Sequence, residues 1–444
     1  MITREDLSEE QETAFKYILD FISAGDRRQM LLSGYAGTGK TTLLNVLLDH
    51  FDINRKHDIY CTAPTNEAVR VISKLTGRTK FDKTIYSLLG LALVEVDDKP
   101  PKLKVISKKS SIGDYELVFV DEASMIQSEL FDLIQQQLRE FSYLKVIYIG
   151  DDAQLPPVKD EGRDSKVFQI QDTIKLVEIQ RTAKENPIIE VATQIRENLD
   201  SPVDVFKRET KLTDEGDGIE FYTDRDIYLD MMYADFKSKE YKENPNYVRV
   251  AAYTNKTVNA LNRRIRKQIF EGEDLKEYME NEDVVVDVPV IDPLENNRIM
   301  FTVGERLRVQ KAKLFEDHEE GFKYWSLTVL NYESRFPTTR VIDVIHKDYI
   351  RTYRLALSKH ATRAKEAAKK VNRGQAWGPY FRFKNQFSWV KYSYSMTIHK
   401  CQGGTFNHVY VINKDCNVLT WNHIERNKLK YVAFTRASNL LRIV

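Results

Sequence analysis

The 444-residue sequence is poor in several features that would assign it to a class at once. It has three cysteines, Cys61, Cys401 and Cys416, which are so far apart that they indicate neither a disulfide framework nor a zinc site. It has no apolar run of about 18 residues and no signal-peptide pattern. We therefore expect a protein without a membrane segment that stays in the cytoplasm, or in a host's cytoplasm if a phage encodes it.

The sequence also has almost no net charge, since its 67 Lys and Arg and 66 Asp and Glu leave +1. A nucleic-acid partner would therefore be held by a local basic channel and not by the overall field. Hydrophobic residues make up 42% and charged residues 30%, which is typical of globular proteins. The length predicts about three domains, and we find no internal repeat.

One stretch, residues 29–42, carries the clearest chemical signal. An apolar strand runs into a glycine-rich turn that opens a helix, and the turn fits the P-loop pattern G-x-x-x-x-G-K-[ST]. Glycines let backbone N–H groups surround phosphate oxygens, and the helix N-terminus adds partial positive charge. Lys40 would reach the β- and γ-phosphates, and the Thr41 hydroxyl would bind Mg²⁺. The predicted nucleotide-binding residues of this loop are Gly37, Thr38, Gly39, Lys40, Thr41 and Thr42.

Two carboxylates, Asp121 and Glu122, directly follow an apolar strand. Ligands of α/β sheets bind at the carboxyl ends of the strands, so this pair is the expected second half of the nucleotide site. Asp121 would hold Mg²⁺, and Glu122 would orient or deprotonate the attacking water. The alternative is that the pair caps a helix that begins near Ser124.

Three single residues are candidates for the same site. Gln154 follows the next apolar strand and can sense a γ-phosphate or its water. Arg181 comes after a β-prone run at 175–179 and is a candidate arginine finger, although a lone arginine is usually a surface charge. Gln11 stands three residues after Ser8, where it either completes a capping box or reads an adenine edge.

Two stretches interrupt the α/β pattern. Residues 91–106 contain two β-prone runs around turn material at 97–101, which predict a projecting β-hairpin or a plain surface loop. Residues 284–346 hold four short β-like runs and predict a small inserted β-barrel. A charged helix at 349–370 and an aromatic stretch at 377–389 follow, whose rings either stack bases or pack against the inserted domain.

As a set, five stretches resemble the superfamily 1 helicases, and most closely their 5′→3′ branch, which includes the RecD family. The stretches occur in the family order, at residues 34–41, 121–124, 150–157, 397–403 and 432–436. Residues 63–65 and 84–87 are weaker matches to the same family.

The resemblance implies which residues meet the nucleotide and which meet a nucleic-acid strand. Gln11 would read the adenine. Arg181 and Arg436 would reach the γ-phosphate from the second domain, and Gln402 and Gly403 would lie near it. The residues implied to line the single-strand track are Pro64, Thr65, Asn66, Thr84, Tyr86, Asn255, Thr397, His399 and Lys400. Asn66 and Tyr86 stand where relatives often have His, so we expect different contacts there.

The resemblance also implies the domain organisation. The expected fold is α/β, with two RecA-like P-loop domains, a β-hairpin pin in the first and an SH3-like β-barrel inserted in the second. The first RecA-like domain would span 1–175, with the pin at 90–112. The second would span 176–282 and 385–444, with the SH3-like domain at 283–384 between its two parts.

The expected function is an ATP-dependent DNA helicase that moves 5′→3′ on single-stranded DNA and separates the duplex at the pin, in DNA replication or recombination. One alternative is a nucleic-acid-stimulated ATPase switch that does not unwind, and another is a binding module with a dead ATPase. Strand-contacting motifs in both halves favour a stepping motor, and the intact nucleotide residues argue against a dead site. The expected ligands are ATP and Mg²⁺. The expected partners are single-stranded DNA and duplex forks, with a single-strand-binding or replication protein as a further candidate, and we expect a monomer.

Overall fold

The computed structural model describes residues 3–444 except 55–57, 79, 97–98, 106–109, 158–159, 161–162, 181–185, 293–297 and 334–336. The chain divides into two compact units, which are Met1–Ala260 with Met396–Val444, and Leu261–Ser395. The larger unit therefore contains the P-loop and the other stretches that the sequence assigns to the nucleotide site.

The larger unit begins with α1 (Glu9–Ser23), β1 (Gln29–Gly34), α2 (Lys40–Asn54), β2 (Ile59–Thr62), α3 (Asn66–Thr76), α4 (Ile85–Leu88), β3 (Leu91–Val96), β4 (Lys99–Val105), β5 (Leu117–Val120), α5 (Ser128–Glu140), β6 (Lys145–Gly150) and β7 (Thr173–Leu176). The chain continues with α6 (Pro187–Glu197), β8 (Lys211–Leu212), β9 (Gly218–Phe221), α7 (Arg225–Lys237), α8 (Lys239–Glu243), β10 (Val248–Ala252) and α9 (Asn255–Ile269).

The smaller unit contains β11 (Asp283–Val286), β12 (Val290–Asp292), β13 (Arg298–Phe301), β14 (Arg306–Asp317), β15 (Phe322–Asn331), β16 (Thr338–Ile345), α10 (Ile350–Ala367), α11 (Arg373–Gln386), β17 (Phe387–Ser388) and β18 (Val390–Tyr392). The chain ends with β19 (Ser395–Thr397), α12 (Ile398–Cys401), β20 (Phe406–Val411), α13 (Asn413–Cys416), α14 (His423–Phe434) and β21 (Ala437–Ile443).

The first sheet has the strand order β2-β5-β6-β1-β7, and each neighbouring pair is parallel. Its central strands are buried along almost their whole length, as expected for a parallel sheet covered on both faces. The helix α1 begins with the predicted capping box of Ser8 and Gln11. Since β1, β5 and β6 are neighbours, their carboxyl ends bring the P-loop, the two carboxylates and Asp151 to one edge.

The second sheet has the order β19-β10-β20-β21-β9-β8. The pairs from β10 to β9 are parallel, and β8 pairs with β9 in the antiparallel sense. Its core includes Ile219, Val409, Leu441 and the inner face of α14. Two largely parallel sheets with helical connections confirm the predicted α/β class.

The strands β3 and β4 form a separate antiparallel hairpin at the position of the predicted one. The second strand begins earlier than the sequence indicated, at Lys99, so Pro100 and Pro101 are in a strand and not in a turn. A two-stranded ribbon has two open edges, and proline is tolerated there because its missing N–H can face outward. The predicted end of the hairpin at Ile106 lies outside the described residues.

The smaller unit is built on a mainly antiparallel sheet with the order β17-β16-β15-β14-β11-β18, beside the hairpin β12–β13. The four β-like runs of the sequence lie in β11, β14, β15 and β16. The helices α10 and α11 pack against each other, and Tyr353 and Phe387 join them to the sheet core. The SH3-like barrel stays a prediction. Within the described ranges, no helix has the length and apolar character that crossing a membrane requires.

Candidate active site

The P-loop forms a narrow cradle of backbone. It connects Gly34 at the end of β1 to Lys40 at the start of α2. Gly37 and Gly39 have φ angles of 79° and 74°, a left-handed conformation that disfavours a side chain. A Cβ on Gly39 would also lie 2.3 Å from Gln11 Nε2. The first N–H groups of a helix need partners beyond the helix and carry its partial positive charge, so the cradle fits phosphate oxygens.

The Lys40 side chain folds over this loop. Its Nζ donates to the carbonyl oxygens of Gly34 and Tyr35, both at 2.8 Å. Burial lowers the pKa of Lys40, and the carboxylates of Asp151 and Asp121 oppose that shift. The ammonium therefore lies between the loop and the acidic end of the site, where it can bind either phosphate or carboxylate oxygen.

The backbone of Glu122 adopts a strained conformation. Its φ and ψ are 52° and 44°, the left-handed region, which costs a non-glycine residue about 1–2 kcal/mol. Such strain persists mostly at functional sites. The Glu122 side chain does not cap the following short helix Ala123–Met125, contrary to the alternative that the sequence left open. The strained backbone therefore marks Glu122 as a candidate functional residue.

The two carboxylates at this end of β5 differ in their environment. Asp121 accepts the N–H of Glu122 at 2.8 Å, while burial raises the pKa of Asp121. Burial and the charge of Asp121 raise the pKa of Glu122 to about 7, against the lowering effect of Arg436. A carboxylate that titrates near neutrality can accept a proton from water at physiological pH. Glu122 is therefore the better placed of the two to act as a base.

The residues fit a magnesium nucleotide. Among the described residues, no cluster of three or more His, Cys, Asp or Glu could hold a metal alone. Magnesium in nucleotide sites is held by one or two protein oxygens together with phosphates and water. Thr41, in the first turn of α2, and Asp121 could supply those oxygens. The donor set is therefore of the kind that binds Mg²⁺ with a nucleotide.

Residues of the second half of the chain reach the same edge. Gln402 Nε2 lies 3.5 Å from Gln154 Oε1, and both side chains are buried. Gly403 has a φ of 77°, and a Cβ there would lie 3.2 Å from the Cβ of Ala68. Arg436 donates to the carbonyl oxygens of Val432 and Gly404 at 3.2 Å, and its charge acts on Glu122. Gln402 and Gly403 therefore lie beside Gln154 and Ala68, and Arg436 acts on the Glu122 carboxylate.

Arg181, the other predicted finger, lies outside the described residues. The residue before it is held to the P-loop, because the Gln180 N–H donates to the Gly37 carbonyl at 3.0 Å. The strand before it is shorter than the predicted run 175–179 and ends at Leu176. The next two N–H groups, of residues 177 and 178, donate to the Glu10 carboxylate and not to a neighbouring strand, at 2.8–3.0 Å.

A buried network around Asp151 was not predicted as part of the site. Asp151 is fully buried, and it accepts from Tyr431 Oη at 2.5 Å and pairs with Arg196 at 2.9 Å. Tyr431 Oη also accepts the Ala36 N–H of the P-loop at 3.0 Å. The Arg196 guanidinium lies 3.9 Å from the centroid of the Tyr35 ring, also in the P-loop. Arg196 and Tyr431, which both come after β7 in the chain, therefore hold the P-loop and Asp151 together.

Gln11 has a structural role that the sequence left open. Its Oε1 accepts the Ser8 N–H at 3.0 Å, which closes the capping box of α1. Its Nε2 donates to the Thr38 carbonyl at 3.0 Å. The amide therefore ties α1 to the P-loop, and adenine recognition by Gln11 stays a prediction.

Three threonines of the predicted strand track share one geometry. The hydroxyls of Thr65, Thr84 and Thr397 each accept an N–H three residues later, at 3.2–3.3 Å, and so cap α3, α4 and α12. Each is partly exposed. Asn255, at the start of α9, and Lys400, in the short helix α12, are exposed. These positions suit contacts to a strand, although their binding role stays a prediction.

The remaining track residues are less accessible. Pro64 is buried, and Asn66 is partly exposed at the start of α3. Tyr86 is only 6% exposed, and burial raises its pKa to about 12. Burial lowers the pKa of His399, which is therefore neutral at pH 7. Tyr86 as placed offers little ring surface for stacking, which a sequence cannot reveal.

The fold and the site define a P-loop nucleotide-binding protein with two RecA-like domains. Residues 6–217 match the family model of an AAA domain, and residues 392–444 match that of the UvrD-like helicase C-terminal domain. The Pif1 helicase from Bacteroides, solved with ADP-AlF3 and single-stranded DNA, has the same fold with a TM-score of 0.51 and 17% identity. That match covers 100% of this chain and 92% of the other.

Sequence relatives make the assignment more specific. The chain is 28% identical to the ATP-dependent DNA helicase dda of Enterobacteria phage T4, over 92% of this chain and 93% of the relative. It is 31% identical to the ATP-dependent RecD2 DNA helicase of Deinococcus radiodurans, over 43% of this chain and 24% of the relative. The chain is a homologue of these helicases, which confirms the predicted resemblance to the 5′→3′ branch of the superfamily 1 helicases.

Proposed function

We propose that this protein is an ATP-dependent DNA helicase that moves 5′→3′ on single-stranded DNA and separates duplex DNA. The observation that carries the proposal is the meeting of both halves of the chain at the P-loop. Tyr431 and Arg196, which come after β7 in the chain, contact Ala36 and Tyr35 of the P-loop, and the charge of Arg436 acts on Glu122. Homology to the dda helicase over almost the whole chain supports the same function, and 5′→3′ polarity is typical of these families.

The proposed hydrolysis uses these residues in distinct roles. The cradle and Lys40 bind the β- and γ-phosphates. Glu122 accepts the proton of the attacking water as its oxygen bonds to the γ-phosphorus and the bond to the bridging oxygen of ADP breaks. Arg436, together with Arg181, stabilises the charge on the transferring phosphoryl group. Thr41 and Asp121 would hold Mg²⁺, which supplies further positive charge.

The protein would move along single-stranded DNA if closure of the nucleotide site changes how tightly each half binds that strand. The proposed contacts come from both halves, with Thr65 and Thr84 in the first and Asn255, Thr397 and Lys400 in the second. If each half holds the strand in only one nucleotide state, each ATP advances the protein along it. A base-pair step costs roughly 1.4 kcal/mol of stacking, far less than ATP hydrolysis provides.

The finer assignments are part of the same proposal. The hairpin β3–β4 would be the separating pin, and the smaller unit would contain the SH3-like domain, with the boundaries expected from the sequence. Single-stranded DNA and forks would be the substrates of a monomer. A role in replication or recombination, with a single-strand-binding protein as a further partner, accords with the homologues.

The test is ATP hydrolysis measured with and without a single-stranded oligonucleotide. We expect strong stimulation in the wild type. Glu122→Gln should keep ATP binding and lose most turnover, and Lys40→Ala should weaken binding or hydrolysis. Wild-type kcat/KM for ATP, which reports the pKa of the free enzyme, should fall as the pH drops through about 7, because protonated Glu122 cannot accept a proton. Normal turnover by Glu122→Gln would refute the assignment of the base, and no response to the oligonucleotide would refute the helicase proposal.

A further inference from the structure

The helices α10 and α11 of the smaller unit carry a local excess of positive charge. Residues 350–386 contain ten Lys and Arg and one acidic residue, Glu366, although the whole chain is close to neutral. The ten basic residues are Arg351, Arg354, Lys359, Arg363, Lys365, Lys369, Lys370, Arg373, Arg382 and Lys384. All except Lys384 are exposed. This stretch therefore forms a positively charged surface, although the net charge of the whole chain is close to zero.

The inner face of the pair is fixed to its own unit. The rings of Tyr353 and Phe383 stack with centroids 5.6 Å apart. The His360 ring stacks on Phe383 at 4.3 Å, and its Nε2 lies 2.9 Å from Glu320 Oε1. Phe322, at the start of β15, packs on the same cluster. The two helices therefore pack on the sheet of their own unit through this inner face.

The outer face of α10 presents a row of cations. At 3.6 residues per turn, Arg351, Arg354 and Lys365 lie away from the buried positions Tyr353 and Ala364. The rise of 1.5 Å per residue spreads them over about 21 Å. Within the part of the chain that the structure describes, none of the ten basic side chains forms an ion pair. No described side chain therefore neutralises this row by an ion pair.

The shape of the row favours one class of anion. Sites for single-stranded nucleic acid combine positive charge with aromatic rings on which bases stack. The outer face of α10 has no aromatic residue, and its one large apolar side chain there is Leu355, at 59% exposure. In α11, Trp377, Tyr380 and Phe381 lie against one another, with centroids 5.1–6.1 Å apart. A row of cations along one face of a helix, without aromatic rings, instead suits the phosphates of duplex DNA, which carries one phosphate per roughly 1.7 Å of axis.

We propose that the outer face of α10 and its continuation to Lys370 bind the sugar–phosphate backbone of duplex DNA. The contact is independent of sequence, because it involves phosphates and no base edges. The inference rests on the proposed helicase function and adds a second substrate contact to it. The smaller unit thereby holds duplex, while the predicted strand track of the larger unit holds single-stranded DNA.

The test measures binding of a blunt duplex and of a single strand to the full-length protein, without nucleotide, from 50 to 200 mM salt. For R351Q/R354Q/K365Q, duplex affinity at low salt should fall tenfold or more. The slope of log K against log salt should fall by about 2.7, or 0.9 for each lost phosphate contact. Single-strand binding and single-strand-stimulated ATP hydrolysis should be unchanged, which also shows that the variant is folded.

Two further variants make the result decisive. R351K/R354K/K365R keeps the charges and should bind duplex normally. R225Q/K239Q/K242Q removes three exposed charges from α7 and α8 of the other unit and should also bind normally. The proposal is overturned by an unchanged duplex slope, by an equal loss of single-strand and duplex binding, or by an equal loss in the α7–α8 variant. Failure of the wild type to hydrolyse ATP with a single strand would instead refute the proposed function, since the duplex assay needs no nucleotide.

Discussion

At the scale of single residues, the fully buried carboxylate of Asp151 depends on two side chains that are far away in sequence. Arg196 and Tyr431 both bind it, and each also contacts the P-loop. An ion pair removed from water is costly to break, because the remaining charge is left without its partner. This network therefore contributes both to the stability of the folded protein and to the conformation of the P-loop.

Replacing Arg196 with alanine should lower the free energy of unfolding by about 3 kcal/mol, because the buried Asp151 loses its cation. Urea denaturation should show a lower midpoint, and the Michaelis constant for ATP should rise because the Tyr35 side of the P-loop loses its support. The matched control is Arg208→Ala, whose side chain is 61% exposed and whose ion pair with Asp204 should contribute under about 1 kcal/mol. Equal midpoints for the two variants would contradict a role for the network.

The arginines assigned to the phosphoryl group give a second prediction. Arg436→Ala should lower single-strand-stimulated turnover by a factor on the order of 10³, the typical effect of an arginine finger. Arg181→Ala should behave in the same way. Both variants should bind single-stranded DNA without nucleotide nearly as well as the wild type, with Arg225→Ala as an exposed control. A variant with normal turnover would show that its arginine is structural.

Local sequence was sufficient to identify the candidate residues that lie in short motifs. The P-loop glycines, Lys40 and the pair Asp121–Glu122 are each recognisable within a strand and the turn after it. Arg196 is not, because it lies in an ordinary amphipathic helix and meets Asp151 only through tertiary structure. Burial is equally invisible in the sequence, and it explains why Tyr86, predicted to meet the strand, has only 6% of its surface exposed.

At the scale of elements, the periodicity of the sequence predicted most strands and helices. The prediction was wrong for the start of the second hairpin strand, because Pro100 and Pro101 are typical turn residues. Proline excludes a central strand but not the open edge of a two-stranded ribbon. It also failed at the end of β7, where Glu10 of α1 binds the N–H groups that would have continued the strand. In both places the surrounding structure determines where the strand begins or ends, and a local sequence pattern does not contain that information.

The hairpin is the element on which unwinding should depend. Shortening it between Val96 and Leu103 should abolish unwinding of a tailed duplex, because a pin contacts the fork and not the nucleotide. Single-strand-stimulated ATP hydrolysis and translocation should survive in the same purified variant. Equal loss of unwinding and hydrolysis would mean that the hairpin supports the fold or the grip on the strand, and unchanged unwinding would mean that another element separates the strands.

At the scale of the whole molecule, the two RecA-like sheets share one compact unit, in which Tyr431 contacts the P-loop and Asp151. A motor needs this arrangement, because hydrolysis in a shared site can change the grip of each half on the strand. An ATPase switch could use the same chemistry without stepping. A motor differs from such a switch in that it performs directional work on DNA.

The most direct measurement is unwinding of matched duplexes that carry a single-stranded tail on either the 5′ or the 3′ side. With ATP, the wild-type protein should separate the 5′-tailed duplex and leave the 3′-tailed and blunt duplexes intact, while Glu122→Gln should separate none. ATP hydrolysis that responds to the tail without separating any duplex would show a switch and contradict the account. Separation of the 3′-tailed duplex alone would contradict the proposed direction of movement.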